Sequence, residues 1–342
     1  MTDMTRRVTI LALVAAVMLT PTTAATPQQP SPAFRVLVFT KTAGFRHESI
    51  PAALQALREL GARNGFAVDA TEDAGAFTDA NLARYGVVAF VLTTGDVLDE
   101  AQQAALQRHI RAGRGFVGVH SAADTEHGWP WYGRLVGAFF KSHPAIQPAT
   151  VAVAEPRHLS TAGLPRRWTR VDEWYNFATN PRAAVRVLAT LDETTYSPGD
   201  GAMGRDHPIA WAHELDGGRA WYTGGGHTEE SYSEPLFRAH LLGGIRSAAG
   251  LAPPSILSLA TTLRSRRLSV AVRYADCRPC AGRMTVGRPG RTLAVPLRLS
   301  GGSARATTTA LPAGRWTLVV SLENRANGRK VVVRRSIRVR RP

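Results

Sequence analysis

The stretch Gly113–Asp124, GRGFVGVHSAAD, constrains the chain more than any other. Phe116–Val119 is a short apolar run bounded by glycines, the pattern of a strand buried inside a parallel sheet. His120, Ser121 and Asp124 stand where that strand ends. In an open α/β sheet, ligands bind at the carboxyl ends of the strands, so these residues are candidates for chemistry. Ser121 alone reads more simply as a cap on the next helix. His120 and Asp124 together point to function, because other strand ends supply matching groups.

The surrounding chain alternates strands and helices. Arg35–Thr40 is the first expected strand, followed by the loop KTAGFRHES with Gly44, His47 and Glu48. Ser49 and Pro51 open a helix in which Ala53, Leu54, Leu57 and Leu60 recur at helical spacing. Phe66–Ala70 and Tyr85–Leu92 are further strands, and Leu98–Ala112 is a helix. This alternation implies an α/β domain with a mainly parallel sheet and right-handed crossovers. More strands are expected at Val151–Ala154, Val185–Leu191, His207–Glu214 and Gly218–Thr223, and an amphipathic helix at Pro235–Ala249. Beyond Pro253 the texture changes. Leu268–Tyr274, Thr292–Leu299, Trp316–Leu322 and Val331–Val339 are short β-type runs divided by Gly, Pro and Asn, the spacing of a small Ig-like β-sandwich.

Charge and address separate these parts. The formal charge is +16, which on its own suggests nucleic acid. Yet 19 of the 42 basic residues and only 2 of the 26 acidic ones lie in 253–342, a net of +17, while the rest of the chain nets −1. The segment with the candidate chemistry is close to neutral. The N-terminus has the order of an export signal: Arg6 and Arg7, an apolar run Val8–Leu19, then small residues. That run is short of the about 20 residues a membrane span needs, so the mature chain should have no transmembrane segment. An uncleaved anchor is the alternative. The expected organisation is a signal peptide at 1–25, a Pro-rich linker at 26–33, a main domain at 34–250 and a basic sandwich at 253–342. Export by the general or the twin-arginine route makes the chain secreted or envelope-associated. Nucleic acid is then a poor partner, and an anionic cell-wall polymer suits the basic sandwich better. Cys277 and Cys280 are the only cysteines, and export favours a small structural disulfide.

His47, His120 and His227 each follow an expected strand, and strand ends share one rim. Imidazole there can act as base, acid or metal ligand. Gly118–Ser121 occupies a strand-to-helix turn of the kind used by nucleophile elbows. His227-Thr228-Glu229 places a carboxylate where it could orient the ring. Class I glutamine amidotransferases have a similar layout, with Cys on the elbow and His-x-Glu near the domain end. Here His120 replaces that Cys and the main domain has no thiol, so this is not a glutamine amidotransferase.

From about Arg35 to Gly250 the chain resembles the ThuA-like family, the trehalose-utilisation proteins. The matching segments are FTKTAGFRHESI, GFVGVHSAADT, WPWYGRLVGAFFKSHP, DEWYNF, DHPIAWAHE and GRAWYTGGGHTEESY. The resemblance implies a three-layer domain similar to flavodoxin and the glutamine amidotransferases. It also implies a role in carbohydrate metabolism, with disaccharides or their 3-keto derivatives as substrates. His120, His227, Glu229, Asp124 and His47 are the candidate catalytic residues. Glu173, Asp172, Tyr175, Trp129, Trp131, Tyr132, His143 and His207 are candidate substrate contacts; the aromatic rings offer flat faces for pyranose C–H groups. Trp211 and Trp221, inside strands, read as core.

Two functions compete. One is a hydrolase, lyase or isomerase acting on a glycoside or keto-sugar through a His or carboxylate base. Hydrolysis would need two carboxylates flanking the bond, with Asp124 and Glu173 as the candidate pair. The other is a non-catalytic carbohydrate-binding protein of the cell exterior. The three histidines and the carboxylates could also ligate Zn²⁺, but no HExxH-type spacing supports it, so no cofactor is expected and a divalent metal stays an alternative.

Overall fold

A computed structural model describes residues 32–252, 254–275, 277, 280–325 and 329–340. The expected signal peptide and linker residues 26–31 lie outside them.

Strands β1 (Phe34–Phe39), β2 (Phe66–Thr71), β3 (Val87–Val91) and β4 (Gly115–Val119) alternate with helices α1 (Ile50–Asn64), α2 (Asp79–Leu82) and α3 (Glu100–Arg111). β3 and β4 are buried throughout, which is why they read as unbroken apolar runs. Pro51 lies in the first turn of α1, whose buried stripe is Ala53, Ala56, Leu57 and Leu60. Asp99 and Gln102 form a capping box on α3. Helix α4 (Pro130–Val136) follows, then β5 (Phe140–Ser142), β6 (Gln147–Val153), β7 (Arg167–Asp172), β8 (Asn176–Phe177), β9 (Arg186–Asp192), β10 (His207–Leu215), β11 (Gly218–Thr223) and α5 (Pro235–Ala248).

Nine of these strands form one sheet, in the order β2-β1-β3-β4-β11-β10-β9-β6-β7. From β2 to β11 neighbours run parallel; from β11 to β7 they run antiparallel. Right-handed crossovers put α1 on one face and α2 and α3 on the other. The packing of α1 on α5 and of α2 on α3 agrees with that. The result is a three-layer α/β unit around the core of Phe39, Phe90, Phe116, Trp211 and Trp221. β7 was not expected from the sequence: its pattern RWTRVD alternates exposed and buried residues, but the buried set includes Arg170 and Asp172, which hides the apolar signal.

The remaining strands are β12 (Ser255–Arg264), β13 (Arg267–Ala275), β14 (Cys280–Arg288), β15 (Arg291–Pro296), β16 (Arg298–Ser300), β17 (Ser303–Ala310), β18 (Gly314–Asn324) and β19 (Lys330–Val339). They make two four-stranded antiparallel sheets, β12-β13-β17-β16 and β15-β14-β18-β19. A separate core of Val270, Val272, Met284, Trp316 and Leu318 lies within them. The sequence reading named four runs; β14 and β17 were missed because CAGRMTVGR and SARATTTA are built of small and polar residues with little apolar contrast, and β12 was missed although Ile256, Leu257, Leu259 and Leu263 mark it. On the outward face of β19, Lys330, Arg334 and Arg338 are exposed, as the apolar and basic alternation of VVVRRSIRVR implies, and Arg335 is exposed on the opposite face. Cys277 and Cys280 are joined by a disulfide.

Candidate active site

β1, β3, β4 and β11 are consecutive parallel neighbours, so the loops after them meet at one rim. His47 lies in the loop after β1, His120 directly after β4 and His227 shortly after β11. The end of β3 pins the first loop: Ala43 N–H donates to Thr94 O at 2.8 Å, and Thr94 Oγ1 donates to Phe45 O at 2.8 Å. The three imidazole rings lie 5.0–5.1 Å apart, centroid to centroid.

His120 sits on the elbow in the left-handed region, with φ 52, a conformation unusual for a residue with a side chain. Tyr222 holds it by donating from its hydroxyl to His120 O at 2.8 Å. The His120 ring is fully buried. Its Nδ1 lies 2.9 Å from Gly224 O; a carbonyl only accepts, so Nδ1 carries the proton. Its Nε2 lies 3.2 Å from His227 Nδ1 and 3.4 Å from Glu173 Oε2. His227 Nδ1 is 3.1 Å from the same carboxylate oxygen. The other oxygen, Oε1, is 3.0 Å from His143 Nδ1. Glu173 is therefore the hub of three histidines' contacts. Tyr175 closes one side, its ring 4.1 Å from that of His120.

The electrostatics follow from this crowding. Burial, and then the neighbouring His120 and His227, push the His47 pKa down to about 3. Burial alone would raise the Glu173 carboxyl, but the neighbouring His120 imidazole and the hydrogen bond from His227 outweigh it and hold it well below the usual carboxylate range. The same bond raises His227 against the effect of its burial. His47, His120, Glu173 and His227 each offer one donor atom, and these atoms all lie within 4.8 Å of one another.

A second network holds the His227 loop. Asp172 accepts from Gly226 N–H at 2.7 Å, from His227 N–H at 3.0 Å and from the Arg170 guanidinium. Arg170 also donates to Glu234 at 2.8 Å and to Ser231 at 2.7 Å. The backbone can approach this closely only without side chains. A Cβ on Gly225 would stand 2.9 Å from Arg170 Nη1, and Gly226 has φ +110.

Residues 35–248 match the model of the ThuA family, whose description is trehalose utilisation. The chain belongs to the ThuA family. Its architecture is similar to that of a ThuA-like protein from Bacteroides uniformis, with a TM-score of 0.56 and 24% identity over 65% of this chain and 94% of that one. A ThuA-like protein from Parabacteroides merdae gives a TM-score of 0.54 at 20% identity, over 64% of this chain and 90% of that one. These likenesses concern the fold. No curated protein sequence matches the chain significantly.

The ThuA-family fold brings together His47, His120, His227, Glu173, Tyr175 and His143, and places the other expected site residues elsewhere. Glu229 does not orient His227. It follows the loop into a 3-10 turn, is exposed, and lines a surface groove with Gln55 and Glu59 of α1 and Arg238 of α5; Glu173 takes the orienting role. Asp124 pairs with His127 at 2.9 Å and is no part of the four-residue cluster. Asp172 is a positioning residue, since backbone amides and Arg170 occupy its oxygens. His207 is buried between Glu193 and the Tyr175 carbonyl, each at 2.8 Å, so it positions Tyr175. Trp131 is buried with its indole on Asp216, Tyr132 is buried with its hydroxyl on Ala122 O, and Trp129 stacks on Trp131. None of the three offers a face to the cluster among the described contacts. Trp211 and Trp221 are core, as expected.

Four contributors escaped the sequence reading. Phe45, 65% exposed, stands edge-on to His47 at 4.9 Å. Phe140 packs on Tyr175 at 4.3 Å. Ser121, read as a cap, places Oγ 3.5 Å from His47 Nδ1. Arg170 anchors the His227 loop from the unexpected strand β7. Phe45 had one usable signal: it precedes His47 by two residues in a strand-end loop.

Proposed function

We propose that this chain is an exported enzyme of carbohydrate metabolism that removes a proton next to a carbonyl in a 3-keto disaccharide, with His143 as the base. The observation that carries this reading is the pairing of Glu173 with His143. Nδ1 of His143 faces two acceptors, the Glu173 carboxylate and Pro144 O, both at 3.0 Å. The proton therefore sits on Nδ1 and Nε2 keeps the lone pair. A carboxylate-oriented imidazole of this kind is built for general-base work, and its ring is 44% exposed where substrate can reach it.

A 3-keto group acidifies the neighbouring C–H. His143 Nε2 takes that proton, the C–H electron pair moves into the carbonyl to give an enolate, and collapse of the enolate expels the glycosidic oxygen, to which the His143 imidazolium returns the proton. Reprotonation of the enolate without expulsion gives isomerisation instead. Glu173 is the one carboxylate of the buried cluster, which favours this chemistry over hydrolysis between two carboxylates. Phe45 and Phe140 supply the flat apolar faces for the sugar ring. The family's link to carbohydrate use supports the substrate class, and Arg6–Leu19 supports export. The exposed arginines of β19 suit an anionic wall polymer.

Incubation of the purified chain with native and 3-keto disaccharides tests the reading. Turnover of the keto sugars, lost at least 100-fold in His143→Gln and Glu173→Gln, is expected. Binding of these sugars without turnover of any of them would leave a carbohydrate-binding protein instead.

A further inference from the structure

We propose that His47, His120, His227 and Glu173 form a binding site for one divalent transition-metal ion of the Zn²⁺ type. The inference deepens the reading above and rests on it for the ion's role, although binding can be measured alone.

Lone-pair accounting comes first. Gly224 O holds the Nδ1 proton of His120, so in the neutral tautomer Nε2 points a lone pair at Glu173 Oε2 and His227 Nδ1. A carboxylate oxygen brings no proton either. At most one proton, on His227 Nδ1, is left to serve three mutually close acceptors. A cation at their centre would satisfy all three at once.

The spacing agrees. The three atoms form a triangle with edges of 3.1, 3.2 and 3.4 Å. Tetrahedral zinc with Zn–N and Zn–O bonds near 2.0–2.1 Å places its ligand atoms about 3.3 Å apart. His47 comes from a different strand end and keeps the whole donor set within 4.8 Å. Three imidazoles and one carboxylate suit zinc-like ions rather than Ca²⁺ or Mg²⁺, which prefer oxygen.

The supporting groups are those a metal site needs. Gly224 O fixes the His120 tautomer, His143 holds the second oxygen of Glu173, and Asp172 fixes the His227 backbone at 3.0 Å. His120 is locked by its buried left-handed backbone rather than left to find its place. Phe45 and His143 mark the solvent side, where a sugar carbonyl could approach the ion and be polarised by it.

The test uses the full chain, depleted of metal with a chelator and titrated with Zn²⁺ by calorimetry and with Co²⁺ by visible absorption. One ion per chain is expected, with tetrahedral-type Co²⁺ bands. Affinity should fall at least 100-fold in His120→Asn and His227→Ala and about 10-fold in His143→Gln, while Glu229→Gln binds as the parent does. Circular dichroism of each variant confirms its fold. Absence of stoichiometric binding, or binding that the His120 and His227 variants leave unchanged, overturns the inference. Metal binding in a chain that turns over no carbohydrate upholds the inference and overturns the proposed function alone.

Discussion

Two groups of buried histidines behave differently. At α5, His158 has both ring nitrogens matched by unlike partners, and His240 of the helix has its Nδ1 proton matched by a carbonyl. His158 Nδ1 accepts from Ser160 N–H at 3.2 Å, so its proton lies on Nε2 and faces Ser247 Oγ at 2.9 Å. His240 Nδ1 donates to Ser160 O at 2.8 Å. At the strand-end rim, His120, His227 and Glu173 instead turn acceptors toward one another. A buried histidine whose donor and acceptor are both matched is a structural joint. One whose lone pair is left facing other lone pairs awaits a ligand or a proton, and costs stability until it has one. The rim tolerates this because β1, β4 and β11, buried on both faces, hold the side chains in place.

The largest expected contrast is in turnover. His120→Asn, which the left-handed backbone tolerates, should lower kcat/KM by about 10³-fold or more, equivalent to about 4 kcal/mol of transition-state stabilisation. His158→Gln should leave kcat/KM within about 2-fold. Equal losses in steady-state kinetics would erase the distinction between the groups.

Next comes the anchor of the rim. Asp172→Asn leaves Arg170 buried with one of its two carboxylate partners gone, and breaking a buried pair costs about 3–5 kcal/mol. Urea unfolding should show a loss near the lower bound, because Glu234 remains. A midpoint unchanged from the parent would mean that the network does not hold the loop.

Acid should expose the structural group. Burial pushes His158 down to about 3 and His240 down to about 4, below the ordinary value near 6.5. Between about pH 6.5 and pH 4 the unfolded chain therefore binds more protons than the folded one, and stability falls as pH falls through that window. Each ring contributes on the order of 2 kcal/mol to that loss. His158→Gln should flatten the fall in urea midpoint between pH 7 and pH 4.5; an unchanged slope would show that His158 is not neutral in the folded chain.

The smallest effect belongs to Glu229. Glu229→Gln should change kcat/KM by less than about 2-fold, since the carboxylate is exposed in the α1–α5 groove. A loss of tenfold or more in the same assay would restore its role as the His227 partner.

Short-range pattern was enough to place much of this. The apolar runs of β1, β3, β4 and β11 follow from burial on both faces, and the shared direction of β1, β3 and β4 follows from the helices between them, so His47 and His120 could be assigned to one rim by topology alone, whereas the antiparallel hairpin with β10 sets the direction of β11 and brings His227 to the same rim. The wet basic face of β19 was legible from its alternation of Val and Arg. Which carboxylate serves those histidines was not legible, because it depends on contacts between segments more than 50 residues apart. Glu229 is two residues from His227 in sequence, yet the 3-10 turn carries it outward. Glu173 comes from the far end of β7, a strand hidden by its buried Arg170 and Asp172, and the antiparallel half of the sheet returns it to the rim. The same holds for the aromatics. Trp131 and Tyr132 are aromatic as Phe45 is, and only packing decides that the first two are buried while Phe45 faces solvent. A sequence states which groups are present; their convergence is decided by how distant strands are ordered in the sheet, and hydrogen bonds of about 3 Å reward only the arrangement that the whole fold holds still.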